Sequence, residues 1–103
     1  MDLSYDIQIG DDISVKLKGD LDISTCAPFR DELLEKYEAN KSNIIIDAAD
    51  LEFLDSTGLG ALIMVYNKAK EDGNNISIYN VKPHINKLFK ITQMEKIFDI
   101  KEG

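Results

Sequence analysis

The chain begins with two short runs in which apolar and polar residues alternate, separated by Gly10-Asp11-Asp12. The apolar positions are Leu3, Tyr5, Ile7 and Ile9 in the first run and Ile13, Val15 and Leu17 in the second. Alternation with a period of two is typical of strands with one buried face, and glycine and aspartate favour turns. The pattern therefore predicts an antiparallel β-hairpin.

After the hairpin the spacing of apolar residues changes to that of a helix. The next apolar positions are Cys26, Phe29, Leu33 and Tyr37. Intervals of three, four and four residues place these side chains on one helical face. We expect Ser24 or Thr25 to cap this helix, and Pro28 is compatible with the first turn, where a backbone amide has no partner within the helix.

The second half of the chain alternates strand and helix patterns. Ile44-Ile45-Ile46 is a continuous β-branched run, which predicts a central strand covered on both faces. A helix is expected from about 57 to 71, and Gly73 ends it. A strand follows, and the pattern does not decide whether that strand extends to Val81. The remaining apolar positions are Ile76 and Ile78 in that strand, Ile85, Leu88 and Phe89 in a helix after Pro83, and Ile97, Phe98 and Ile100 in a short terminal element.

This order of elements predicts a small α/β domain that occupies residues 1–103. A hairpin should open a mixed β-sheet, and helical crossovers should join the later strands and pack on the sheet. Strand ends and helix starts then meet at one edge, where functional loops commonly lie. The segment 47–60 is such a junction.

The composition describes an acidic globular chain. Apolar residues make up 44%, charged residues 30%, and the net charge is −7, so direct binding to nucleic acid is not expected. Residues 1–56 carry five basic and fourteen acidic residues. This acidic half either faces a basic partner or is solvated surface.

The sequence favours a reducing compartment. The only cysteine, Cys26, cannot form a disulfide within the chain, and the N-terminus lacks the basic and apolar blocks of a signal peptide. No apolar run approaches the roughly 18 residues that span a bilayer. We therefore expect a cytoplasmic protein without a membrane segment.

The chain offers little material for catalysis or metal binding. Cys26 and His84 are the only candidates for a nucleophile and base, and their positions in a helical stripe and at a helix start favour structural roles. Asp47 could accept a phosphoryl group beside a metal held by Asp11 and Asp12, but that acidic pair fills a hairpin turn. We predict no metal site, no cofactor and no enzymatic activity.

The most informative segment runs from Phe53 to Ile63. A short polar stretch, Asp55-Ser56-Thr57, opens a helix whose first turn carries almost no side-chain bulk. Small residues allow another protein to approach the backbone, and the free amides of a helix start favour an anion. Asp, Ser and Thr are also common helix caps. The residues alone therefore fit two roles for Ser56 equally well, a helix cap and a functional hydroxyl.

Helical periodicity divides the following helix into two faces. Leu59, Leu62, Ile63 and Tyr66 share the face that we assign to the core. Thr57, Gly60, Ala61, Met64 and Lys68 are expected to point away from it. A second face without charge for two turns predicts either a docking surface beside Ser56 or contact with another helix.

At these residues the chain resembles the anti-sigma factor antagonist family, the bacterial STAS domains. The resemblance covers almost the whole chain and rests on the hairpin, the stretch 19–25, the strand 44–47 and above all Asp55-Ser56-Thr57-Gly58-Leu59-Gly60. Members of this family usually have a glycine near Gln93, which this chain lacks. The departure concerns a loop far from the serine.

The resemblance implies a partner-switching regulator with a STAS-like fold. The unphosphorylated form would bind an anti-sigma factor that is also a serine kinase, which frees the sigma factor. The kinase would use ATP to phosphorylate the serine that matches Ser56, and a metal-dependent serine phosphatase would reverse the reaction. The implied partner surface comprises Asp22, Thr25, Asp55, Ser56, Thr57, Gly58, Gly60, Ala61 and Met64.

Two other function classes remain open at this point. A scaffold or signalling subunit of a stress-response assembly could use the same fold, and it would migrate as a large stable particle in size-exclusion chromatography. An enzyme that used Cys26 or Asp47 would lose turnover when those residues were replaced.

Overall fold

The computed structural model of the protein describes residues 2–102. The predicted hairpin is present: strand β1, Leu3–Ile9, pairs antiparallel with strand β2, Ile13–Leu21. In the turn between them the Gly10 amide donates to the Asp12 carbonyl at 3.1 Å. The alternation of the sequence thus becomes a strand pair with one covered face.

The described residues form one mixed five-stranded sheet in the order β1-β2-β3-β4-β5. Every pairing after the hairpin is parallel. The further elements are α1 (Cys26–Ala39), β3 (Ile44–Leu54), α2 (Ser56–Glu71), β4 (Ile76–Val81), α3 (Pro83–Ile91), a 3-10 turn (Met94–Lys96) and β5 (Asp99–Glu102). This confirms the predicted small α/β domain, and it extends the fourth strand to Val81.

Helix α1 buries the stripe that its spacing predicts. The buried side chains are Cys26, Phe29, Leu33 and Tyr37. Thr25 occupies the N-cap position, but its side chain makes no capping bond to the helix. Its hydroxyl bonds within the preceding loop instead, and the Cys26 amide at the helix start donates to the Asp22 carbonyl oxygen at 2.9 Å.

Strand β3 is central, as expected, but only one of its faces is fully covered. Ile44 and Ile46 are buried, whereas Ile45 is half-buried. Ile45 lies with Ser14, Lys16 and Asp47 on an open, largely polar face of the sheet. The expectation of a strand covered on both faces was wrong, because the buried side chains of strands and helices form a single core.

Aromatic contacts join the C-terminal part to the rest of that core. The rings of Tyr66 and Phe98 meet edge to face with centroids 5.6 Å apart, and those of Phe89 and Phe98 are 6.2 Å apart. Such contacts stabilise beyond their buried area. They fix α2 and α3 against the segment that leads into β5.

No helix within residues 2–102 is long and apolar enough to cross a membrane.

Candidate functional site

The predicted junction forms where β2 and β3 end side by side. Leu21 and Leu54 are partners in the parallel register. The amide of Asp55 reaches the Leu21 carbonyl oxygen at 3.4 Å. The loop that leads into α1 and the first turn of α2 therefore lie at the same edge of the sheet.

Gly58 brings the first turn of α2 close to the end of β2. A Cβ atom at this position would lie 2.3 Å from the carbonyl oxygen of Leu21, so only glycine fits. Gly58 is itself buried. Within the domain it allows this close packing, and its place in the partner surface stays a prediction.

Asp55 caps α2 and also ties it to the neighbouring loop. Its Oδ1 accepts a hydrogen bond from the Gly58 amide at 2.8 Å, which satisfies a free amide of the first turn. Its Oδ2 accepts a bond from the Ile23 amide at 3.3 Å. Both carboxylate oxygens are thus occupied within the domain.

Ser56 and Thr57 follow the cap and are both exposed. Among residues 2–102, neither hydroxyl has a hydrogen-bond partner. The amides of this first turn and the positive end of the helix dipole lie beside Ser56, and both favour a negative group. Because Asp55 supplies the cap, the Ser56 hydroxyl is not needed for that role.

The loop before α1 is held by its own side chains. The Asp22 carboxylate oxygen Oδ1 accepts from the amide of Ser24 at 2.9 Å and from its hydroxyl at 2.6 Å. The Thr25 hydroxyl accepts from the Asp22 amide at 2.9 Å and donates to the Asp20 carbonyl at 2.8 Å. The Ser24 hydroxyl bond lowers the pKa of Asp22, since it stabilises the charged form.

The outward face of α2 is narrower than the sequence indicates. Met64 is 52% exposed and Gly60 is half-buried, as an outward face requires. Ala61, however, is only 2% exposed. The prediction that Ala61 points outward was wrong: it begins a buried line of residues four apart, continued by Val65 and Ala69.

A second packing partner explains this wider buried arc. Helix α2 packs against α1 as well as against the end of β2, where Gly58 meets Leu21. On the side that carries Ala61 and Val65, Lys68 forms an ion pair with Glu38 of α1 at 3.6 Å. Small side chains on that side let the two helices approach.

Sequence reasoning missed Ile23. This side chain is 77% exposed and lies at the tip of the loop that Asp55 holds. The available signal was an isoleucine between Asp22 and Ser24, outside both the strand and the helix periodicity. An apolar residue within such a polar turn does not contribute to a core.

The residues considered for catalysis have separate structural partners. Cys26 is buried in α1. The His84 ring nitrogen Nε2 lies 2.7 Å from the Glu52 carbonyl oxygen, and Asp47 accepts bonds from Ala49 and Asn80. These two bonds lower the pKa of Asp47. Residues 2–102 contain no group of three or more histidine, cysteine, aspartate or glutamate side chains that could hold a metal.

Comparison with known proteins finds anti-sigma factor antagonists that are similar to this chain in sequence and in structure. The anti-sigma-B factor antagonist of Bacillus subtilis is 29% identical over 101 residues, covering 97% of this chain and 92% of that protein. An anti-sigma factor antagonist from Mycobacterium paratuberculosis superposes with a TM-score of 0.78 at 23% identity, covering 99% and 87%. The phosphorylated form of the Bacillus cell fate determinant SpoIIAA gives 0.76 at 17% identity, covering 94% and 90%.

A family model decides the assignment. The model described as Mlab, STAS domain matches residues 7–100. This confirms the resemblance that the sequence indicated, and the strand order and helices agree with it. The chain belongs to the STAS domain family.

Proposed function

We propose that this protein is an anti-sigma factor antagonist whose switch is phosphorylation of Ser56. The observation that carries the proposal is that Asp55, and not Ser56, makes the structural hydrogen bonds at the start of α2. Asp55 caps the helix with Oδ1 and holds the Ile23 amide with Oδ2. The adjacent Ser56 is exposed and has no structural bond among residues 2–102.

The partner in this proposal is an anti-sigma factor that is also an ATP-dependent serine kinase. The Ser56 oxygen attacks the γ-phosphorus of ATP held by the kinase, the bond from that phosphorus to ADP breaks, and the hydroxyl proton is released. Positioning and charge stabilisation dominate such a transfer, and the kinase can supply both. Asp55 need not act as a base, because both its oxygens already accept hydrogen bonds.

The proposed partner surface surrounds Ser56. Asp22, Thr57, Gly60 and Met64 contribute exposed or half-buried positions. Thr25 is half-buried and its hydroxyl is used inside the loop, so it shapes the surface. Asp55 stabilises that surface through the hydrogen bonds that its carboxylate accepts from the Gly58 and Ile23 amides.

Phosphorylation releases the partner by changing the charge of this surface. A phosphoserine carries about −1.5 to −2 charges at neutral pH. The start of α2 tolerates that charge within the domain, whereas a partner fitted to a neutral hydroxyl would have to bury it. A metal-dependent serine phosphatase restores the binding form, and the cycle takes place in the bacterial cytoplasm.

The decisive experiment separates Ser56 from its neighbour. The purified anti-sigma factor kinase of the same bacterium and ATP are incubated with the wild type, Ser56→Ala and Thr57→Ala, and mass spectrometry locates the phosphate. We expect one phosphate per chain in the wild type and in Thr57→Ala, and none in Ser56→Ala. Full incorporation into Ser56→Ala would overturn the assignment.

A further inference from the structure

Ile23 is the most exposed large apolar side chain of residues 2–102. It is 77% exposed, compared with 70% for Ile91 on α3. An exposed isoleucine alone is ordinary on a protein surface. The backbone around Ile23 distinguishes it from Ile91.

Hydrogen bonds fix that backbone on both sides of Ile23. The Asp22 carboxylate bonds the amide and hydroxyl of Ser24, and the Asp22 amide bonds the Thr25 hydroxyl. The Ile23 amide itself donates to Asp55 Oδ2 at 3.3 Å. An apolar side chain on a loop that is already ordered loses little conformational freedom on binding.

The same carboxylate connects this loop to the switch. Asp55 immediately precedes Ser56, and its other oxygen caps α2 through the Gly58 amide at 2.8 Å. Leu21 is one residue before Asp22. Its carbonyl oxygen accepts a hydrogen bond from the Asp55 amide and faces Gly58. The loop that carries Ile23 and the turn that carries Ser56 therefore lie side by side.

We propose that Ile23 is an apolar anchor that inserts into the bound anti-sigma factor, and that Asp55 is the positioning residue that holds it beside Ser56. The inference rests on the proposed function. Its occupant is the anti-sigma factor because one hydrogen bond joins Ile23 to the residue that precedes the phosphorylated serine. The matching surface of that partner is an apolar pocket beside its kinase site.

A matched pair of variants tests the anchor. Ile23→Ser and Ile91→Ser each replace a largely exposed isoleucine, and both variants should fold. Calorimetric titration measures their affinity for the purified anti-sigma factor kinase of the same bacterium with a non-hydrolysable ATP analogue. We expect Ile23→Ser to weaken binding about tenfold or more, as burial of one aliphatic side chain implies, and Ile91→Ser to bind as the wild type does.

A second variant tests the positioning role of Asp55. In Asp55→Ser the hydroxyl can still cap the Gly58 amide, but the oxygen that holds Ile23 is lost. Amide hydrogen exchange followed by NMR should show faster exchange at Ile23 and preserved protection at Gly58. A protein in which both amides keep their protection would overturn this role.

The outcomes distinguish the inference from the proposed function. If the wild type binds the kinase and Ser56 is phosphorylated, but Ile23→Ser and Ile91→Ser bind equally well, the anchor is wrong and the proposed function stands. If the wild type neither binds nor is phosphorylated, the proposed function fails and the anchor fails with it.

Discussion

The carboxylate of Asp22 is the titrating group closest in sequence to the exposed loop tip. The hydroxyl bond from Ser24 is the largest cause of its lowered pKa, and the Ser24 amide adds to it. A folded-state pKa below the ordinary value of 3.8 means that these bonds stabilise the loop above that pH. The stabilisation is lost as the pH falls through the lower folded value.

Replacing Ser24 should therefore move the titration of Asp22. We expect Ser24→Ala to raise the pKa of Asp22 towards its ordinary value, since the charged form loses a hydrogen bond. NMR of the carboxyl carbons through an acid titration measures the change. Ser14→Ala, at an exposed strand position, serves as the control, and equal Asp22 titration in both variants would refute this explanation.

Gln93 has a backbone conformation that suits glycine. Its φ is 60°, in the left-handed region, where a side chain costs about 1–2 kcal/mol. Gln93→Gly should raise the free energy of unfolding by about 0.5–1 kcal/mol, which urea denaturation can measure.

Asn80 provides the comparison for that substitution. Its φ of 59° is almost the same, but asparagine tolerates this region and its amide donates to Asp47 at 3.1 Å. Asn80→Gly should therefore give a smaller gain or a loss. A less stable Gln93→Gly protein would contradict the conformational argument.

At the scale of elements, two glycines of α2 differ in their surroundings. A Cβ at Gly58 would meet backbone atoms of Leu21, whereas one at Gly60 would meet nothing within 4 Å. Gly58→Ala should destabilise the domain by about 1–3 kcal/mol through overpacking. Gly60→Ala should be neutral or stabilise it by up to about 1 kcal/mol, because alanine favours helix.

Thermal unfolding of both glycine variants gives the comparison directly. Equal stability of the two variants would show that α2 and β2 do not meet as closely as described. Gly60→Ala also keeps the fold while adding a methyl group to the proposed partner surface, so a loss of kinase binding in this variant would reflect the partner's close approach.

The two faces of α2 can be tested with one substitution at two positions. Leu62 is 1% exposed and Met64 is 52% exposed. Leu62→Asp should unfold the domain, since burial of an unpaired carboxylate costs more than a small domain can offset. Met64→Asp should change stability by less than about 1 kcal/mol and weaken kinase binding. Circular dichroism checks the fold, and unfolding of Met64→Asp would place residue 64 in the core.

Sequence periodicity predicts elements better than it predicts how many neighbours each element has. The hairpin and the α1 stripe followed directly from apolar spacing. Ala61 was misplaced because one hydrophobic stripe identifies one neighbour, whereas α2 packs on both the sheet and α1. Ile45 was misplaced because a β-branched run looks the same whether helices cover one face of a strand or two.

The site residues show a similar limit. Asp, Ser and Thr are all good caps, so the sequence alone could not decide which of Asp55, Ser56 and Thr57 caps α2. The choice depends on where β3 ends against Leu21, a tertiary contact. Ile23 was missed because its significance lies in a hydrogen bond to Asp55, 32 residues away.

At the scale of the whole molecule, phosphorylation should leave the fold intact. With an effective dielectric near 20, one pair of like charges about 6 Å apart costs roughly 3 kcal/mol, enough for about a hundredfold loss of affinity. Amide chemical shifts should change around residues 22–25 and 55–61 only. NMR spectra of both forms, together with their kinase affinities, provide the test. Changes spread across the sheet would show that phosphate remodels the domain instead.

The sheet places each strand beside the one that precedes it in the chain. A chain made from its N-terminus can therefore add each strand to an existing edge, without waiting for a distant segment. The strands and helix that surround Ser56 are all synthesised by Glu71, before α3 and β5 emerge from the ribosome. The topology thus allows the order of synthesis to be the order of assembly, with the edge that carries Ser56 among the first parts made.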